Sequence, residues 1–307
     1  MTDPIITAQQ LSKRFDSLTA VDRIDFQIQP GECFGFLGPN GAGKTSTMKM
    51  IYCFSPVTSG ELRVMDLNVK TQAKAIKRNL GVVPQEDSLD PDLSVFDNLR
   101  IYANYFDIPS HEAKKRAHEL LAFLQLEDKR RESISHLSGG MKRRLVIARA
   151  LIHQPKILIL DEPTTGLDPQ ARHLIWAKLR QLKRSGVTMV LTTHYMEEAA
   201  QLCDRLVIMN EAKILAQGSP LELIKQYVGQ EVYEIRASRK ILDPLKNLFQ
   251  KQGYSTECYD EILYLFVKED LKLSEEILES VQKLDFHHRM ATLEDVFLKV
   301  AGRELRE

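Results

Sequence analysis

No apolar run in this chain approaches the roughly 18 residues that a membrane-spanning helix requires, and the opening "MTDPIITAQQ" lacks the layout of a signal peptide. Any membrane role is therefore expected to come through a partner. Cysteine is sparse: Cys33, Cys53, Cys203 and Cys258 lie far apart and form no CxxC pair, which argues against a zinc site or a dithiol redox motif and fits a reduced, cytosolic setting. Nor is there a surplus of either charge, since Lys plus Arg equals Asp plus Glu at 42 each. Binding a phosphate backbone needs a cationic excess, so no nucleic acid is expected as main partner. Internal repeats and low-complexity tracts are absent as well. What remains is an ordinary globular composition, 43% hydrophobic and 27% charged over 307 residues. It suits one large α/β domain with a smaller appendage.

Alternating Ile24, Phe26 and Ile28 predict a half-buried strand, and beyond the Pro30-Gly31 turn "ECFGFL" predicts a second strand leading into a glycine-rich loop. Short branched runs at 80–83, 157–160, 188–193 and 205–209, separated by helical stretches, predict a mostly parallel sheet covered by helices. From about Ser94 to His153 the periodicity turns helical, which marks an inserted helical subdomain. After Gly218-Ser219-Pro220 the chain changes character again. "EVYEI", "ILYLFV", a helix "SEEILESVQKL" and a last helix opening at "TLED", with Thr292 and Asp295 at capping-box spacing, predict a small α+β appendage. The expected domains are thus 1–220, with the helical subdomain at about 94–153, and 221–307.

"GPNGAGKT", Gly38 to Thr45, fits G-x-x-x-x-G-K-[ST] and lies after a strand and before a helix, as phosphate binding demands. Glycines let backbone N–H groups wrap phosphate oxygens. Lys44 then reaches the β- and γ-phosphates, Thr45 offers a hydroxyl to Mg²⁺, and the helix aims its positive end at the anion. "ILILDEP" is an apolar strand ending in two acids, which must face a polar edge because unpaired burial is costly. Beside a phosphate loop, Asp161 is expected to serve the Mg²⁺ and Glu162 to orient or deprotonate the attacking water. "HLSGGMKRR" places Ser138, Gly139 and Gly140 at a second helix start. Lys142, Arg143 and Arg144 follow where the helix dipole disfavours cations; they are expected either to point into solvent or to be relieved by an anion arriving there.

Together these motifs resemble the nucleotide-binding subunit of ATP-binding-cassette transporters over about residues 5–218. "GPNGAGKT" is similar to the Walker A loop, Gln85 in "VVPQED" to the Q-loop, "LSGGM" to the signature, "ILILDEP" to Walker B, "TTGLDP" to the D-loop and His194 in "LTTHYMEEA" to the switch histidine. The resemblance implies a P-loop ATPase cassette with a mostly parallel core sheet, an antiparallel β subdomain and a helical subdomain. It implies ATP and Mg²⁺ as ligands, held by Gly38, Pro39, Asn40, Gly41, Ala42, Gly43, Lys44, Thr45 and Ser46. Phe15 would stack on adenine. Lys44, Gln85, Glu162 and His194 would carry the catalysis, and Thr45, Gln85 and Asp161 the metal. A head-to-tail dimer would close each site with Ser138, Gly139 and Gly140 of a second copy, Asp168 helping to position the opposite site.

"PTTGLDPQARHLIWAKLRQL" and "TLEDVFLKVAGRELRE" resemble type-2 exporter ATPases, particularly the nodulation protein I group. Met141 and Arg143 replace glutamines of the signature common elsewhere and agree with that branch. This implies an integral membrane permease partner, a peripheral position on the cytoplasmic face of the inner membrane, and lipid-linked or lipo-oligosaccharide cargo. Two other readings stand beside it. One is a soluble cassette ATPase acting on ribosomes or DNA, which one cassette without a coiled-coil insert does not suit. The other is a non-hydrolysing module, which Glu162 and His194 argue against.

Overall fold

The computed structural model describes residues 3–268, 277 and 281–301. Two units are defined by internal contacts, Met1–Gln217 and Gly218–Glu307.

The first unit opens with β1 (Ile6–Phe15) and β2 (Leu18–Ile28), antiparallel across a tight turn, followed by β3 (Cys33–Leu37), whose residues are all buried. Helix α1 (Lys44–Ile51) leads to the short strands β4 (Ser59–Val64) and β5 (Leu67–Asn68), then α2 (Ala73–Lys77) and β6 (Leu80–Val83). The helical region holds α3 (Val95–Asn104), α4 (Ser110–Phe123) and α5 (Gly139–Leu151). Next come β7 (Ile157–Asp161), α6 (Pro169–Arg184), β8 (Thr188–Thr193), α7 (Met196–Leu202), β9 (Arg205–Asn210) and β10 (Lys213–Gly218). One sheet is ordered β2-β1-β4-β5 and a larger one β10-β9-β3-β8-β7-β6. In the larger sheet β9, β3, β8, β7 and β6 are parallel. Both faces of such a sheet are covered, so its strands read as unbroken apolar runs. Phe26, Phe34 and Phe36 form the aromatic centre of the core, with Phe26 and Phe36 edge to face at 5.1 Å.

Strand order places the chemistry. β3 sits between β9 and β8, and β8 beside β7, so the loop after β3, the acids ending β7 and the residue after β8 leave the same sheet edge side by side. This carboxyl edge is where ligands bind in open α/β sheets.

The second unit runs α8 (Pro220–Tyr227), β11 (Glu231–Arg236), α9 (Arg239–Lys251), β12 (Ser255–Tyr259), β13 (Ile262–Val267), β14 (Asp285–Met290) and α10 (Leu293–Ala301). Its sheet is antiparallel in the order β12-β13-β11-β14. Tyr233, Ile235, Leu263 and Leu265 pack with Leu242 and Phe249 of α9. Most of the helix expected over "SEEILESVQKL" lies outside the described residues, although Ile277 and Val281 belong to this core and Leu284 packs against it. At "TLED" the Thr292 amide and hydroxyl both donate to Asp295. Arg289 of β14 adds two bonds of 2.7 Å to the same carboxylate.

Candidate functional site

Helix α1 begins at a residue with its own strain relieved: its N-cap, Gly43, has φ 101°, a left-handed value natural only to glycine. A Cβ there would also meet Ala20 O at 2.3 Å. Lys44 is buried, and its Nζ donates to Gly38 O and Pro39 O at 2.8 Å each, so the loop wraps its own lysine. Burial lowers the Lys44 pKa, opposed by Glu162 and Asp161. Ser46 follows in the first turn of α1, and Ala42 N donates to Pro39 O within the loop, around Asn40 and Gly41.

Asp161, the last residue of β7, accepts from Thr45 Oγ1 at 3.1 Å and from Thr192 Oγ1 of β8. Its charge, after burial, helps push the Tyr52 pKa up to about 12. Glu162 stands at the centre of four side chains. Gln85 Nε2 donates to its Oε2 at 3.3 Å and Thr165 Oγ1 at 3.0 Å. On Oε1, His194 Nδ1 lies at 3.3 Å, outside hydrogen-bond geometry, and Lys44 Nζ at 4.0 Å. Lys44, Thr45, Gln85, Asp161, Glu162 and His194, drawn from four segments, therefore meet in one cluster. Among the described residues no group of three or more His, Cys, Asp and Glu side chains could hold a metal unaided. A Mg²⁺ at the Thr45–Asp161 pair would need phosphate oxygens and water to complete its shell, which is its usual mode of binding.

Other expected residues stand apart from this cluster. Ser138 is the exposed N-cap of α5 and accepts from Met141 N at 3.3 Å; Asp168 is the exposed N-cap of α6 and accepts from Ala171 N at 2.9 Å. The two starts adjoin, since a Cβ on Gly140 would come within 2.8 Å of Ala171 Cβ. That close approach is a second reason for glycine here. No hydrogen bond joins Ser138 or Asp168 to the phosphate loop among the described residues. Phe15 ends β1, 47% exposed, with Lys13 Nζ 4.5 Å from its ring centroid.

Two of the three signature cations, Arg143 and Arg144, do not simply point into solvent, whereas Lys142 is part-exposed. Arg143 is buried, with its guanidinium on backbone carbonyls, and Arg144 donates to Leu124 O at 2.8 Å and Gln125 O at 3.2 Å. Carbonyl oxygens of neighbouring segments accept from both guanidinium groups. Sequence reasoning also passed over Thr192, which bonds both Asp161 and the Glu162 amide. It missed fully buried Glu198, which accepts from Thr164 Oγ1 at 2.6 Å and Trp176 Nε1 at 3.0 Å. The signal available was a polar residue inside an apolar period: the threonine pair closing "TMVLTT" and the second acid of "MEEA".

Beyond the cluster, a cavity of about 640 Å³ opens between the segment after β6 and helix α3. Pro84, Ser88, Tyr102 and Arg149 line it, with Phe54 and Tyr105 at its rim, 70% and 79% exposed. Among the described residues no helix is long and apolar enough to cross a membrane.

A strand-borne phosphate loop facing an acidic strand end across a parallel sheet defines a P-loop nucleoside triphosphatase. Residues 21–165 match the family described as ABC transporter. Over 98% of both chains the sequence is 45% identical to the Nod factor export ATP-binding protein I of Burkholderia thailandensis. Among solved structures it is similar to cbiO1 from Clostridium perfringens, part of the ABC transporter complex cbiONQ, with a TM-score of 0.68, 25% identity and coverage of 82% of this chain and 98% of that one. The ATP-binding cassette MJ0796, a dimer bound to ADP and Pi, gives a TM-score of 0.64 at 26% identity, covering 70% and 98%. The chain belongs to the ABC transporter family, as an ATP-binding ATPase subunit of the export type. A relative of this kind spanning nearly the whole chain does not favour the soluble ribosome- or DNA-directed reading.

Proposed function

We propose that this subunit hydrolyses ATP between two copies of itself and uses the closure of that pair to drive export through a separate membrane permease. The observation that carries the proposal is the meeting of Lys44, Thr45, Gln85, Asp161, Glu162 and His194 at one sheet edge, with Ser138 and Gly139 exposed elsewhere. Lys44 and backbone N–H groups of the Gly38–Ser46 segment, Pro39 having none, bind the phosphates, and Phe15 stacks on the adenine. Thr45, Asp161 and Gln85 would hold a Mg²⁺, which supplies charge neutralisation at the bridging oxygens. Glu162 orients and deprotonates the attacking water, while Gln85 and His194, both against its carboxylate, register the γ-phosphate. Ser138, Gly139 and Gly140 seal a triphosphate held by the second copy, and Asp168 positions that opposite site.

Residues 1–220 act as the cassette and 221–307 as an accessory domain. The rim formed by Phe54 and Tyr105 offers exposed aromatic surface beside Gln85, suited to an apolar segment of a type-2 permease; the subunit would thus sit on the cytoplasmic face of the inner membrane. The relatives are named for Nod factor export, which supports a lipo-oligosaccharide cargo. The test is Glu162→Gln: hydrolysis falls roughly 10²–10⁴-fold, the range of a general base, while ATP binding persists and gel filtration with ATP shows a dimer. A monomer at saturating ATP, with or without the permease, overturns the reading.

A further inference from the structure

Arg143 is the third residue after the Gly139-Gly140 pair in "LSGGMKRR". It lies in the first turns of α5, 6% exposed, and spends every guanidinium nitrogen on carbonyls of two other segments. Nε donates to Pro163 O at 2.8 Å, and Nη2 to Asp161 O at 2.8 Å and Glu162 O at 3.0 Å. Nη1 donates to Pro84 O and, at 3.4 Å, to Gln85 O. Five donors in a rigid plane permit this; a glutamine has two and a lysine three on a point charge. The cation is buried by design: desolvation disfavours its charge, while Asp87, Asp161, Glu198 and Glu162 support it.

The backbone it holds is a strained one. Glu162 has φ 46°, in the left-handed region, which is unfavourable for a non-glycine residue and persists only where the surroundings over-determine it. Its N–H is bonded to Thr192 O at 3.1 Å and Thr192 Oγ1 at 3.0 Å. Its carbonyl is bonded to Arg143. The neighbouring β8 thus grips one side of the residue, and the signature helix the other.

We propose that Arg143 is a positioning residue that locks the Glu162 backbone and the Gln85 segment to the signature helix, so that displacement of Ser138–Gly140 reaches both groups as one rigid movement. The inference rests on the reading that Ser138–Gly140 meets a triphosphate held by a second copy. Contact with the partner's nucleotide at the start of α5 then adjusts the base and the glutamine that serve this chain's own nucleotide. The two sites of a dimer are coupled through one side chain in each copy.

The experiment uses full-length Arg143→Lys and Arg143→Met, measuring kcat and KM for ATP, affinity for a fluorescent ATP analogue, and the thermal midpoint. Nucleotide affinity and KM stay at the wild-type values, because the phosphate loop is untouched. kcat falls roughly 10- to 100-fold in the methionine variant, the cost of misplacing a reacting group by about 1 Å, and lysine recovers part of it. In a Glu162→Gln background, Arg143→Lys still dimerises with ATP. A kcat that returns to wild type once corrected for folded fraction overturns the proposal, as does loss of nucleotide affinity or of dimerisation in step with kcat. If Glu162→Gln alone fails to dimerise, the underlying two-copy reading fails by itself, and Arg143 is then judged on its kcat–KM split.

Discussion

The phosphate loop and the signature helix of this chain are built in opposite ways. At the phosphate loop, Lys44, Asp161 and Glu162 are buried and each polar group meets a partner within the same chain. At the signature, Ser138 and Gly139 are exposed, and among the described residues the serine side chain bonds only the Met141 amide of its own helix. A loop that is ordered by internal contacts can bind a ligand within one chain, whereas an exposed helix start is open to an anion from elsewhere. On the two-copy reading proposed above, the difference makes them two half-sites, each completed by the other copy.

The sharpest way to break that comparison is to damage each half separately. Lys44→Ala is expected to lose nucleotide affinity and turnover together, by roughly 10²–10³-fold or more in rate, as when a preorganised charge donor is removed. Ser138→Glu leaves binding intact and abolishes turnover: the carboxylate suits the positive end of α5 but repels a triphosphate. Mixing the two inactive chains should restore activity, since one composite site then contains an intact loop and an intact signature. Equal loss of nucleotide affinity in both variants, read by equilibrium dialysis, would show that the halves act on one ligand in one chain.

A smaller effect sharpens the buried half. Thr192→Val removes the hydroxyl that Asp161 and the Glu162 amide share, while Thr192 O still holds that amide. The Asp161 carboxylate then loses an orienting donor. The Mg²⁺ concentration for half-maximal ATPase activity should rise roughly 10–100-fold, the usual penalty for losing a partner of a metal ligand, with kcat at saturating Mg²⁺ falling less. A change in kcat alone would assign Thr192 to Glu162.

What could be read from the sequence follows the same division. Gly38–Thr45 was legible because phosphate binding imposes its spacing locally, and Asp161-Glu162 because two acids ending an apolar strand beside such a loop point to a polar edge more than to a helix cap. The parallel sheet was legible from its apolar runs. Arg143 was not, because its five acceptors come from residues 84–85 and 161–163 and no local pattern announces that approach. The pairing of Glu198 with Thr164 and Trp176 was hidden for the same reason. In the second unit, β14 reads "DFHHRM", with no apolar alternation, and is a strand because β11 pairs with it along its whole length. Its charged residues are explained by Arg289, which bonds Glu234 on that neighbour and Asp295 beyond it.

The smallest expected effect concerns Asp168, where capping and nucleotide chemistry overlap. As N-cap of α6 it accepts from Ala171 N, so Asp168→Ala should cost about 1 kcal/mol, a fall of about 2–4 °C in a domain of this size. The same change removes a carboxylate that adjoins the signature start of its own chain and, in the two-copy arrangement, faces the opposite site. Serine separates the roles, since it caps as well as aspartate does but carries no charge. Asp168→Ser is expected to regain the melting temperature while its ATPase rate stays several-fold low, a discrepancy of the size of one charge-assisted hydrogen bond. Recovery of both together would reduce Asp168 to a cap and leave Ser138–Gly140 as the whole of what this chain offers its partner.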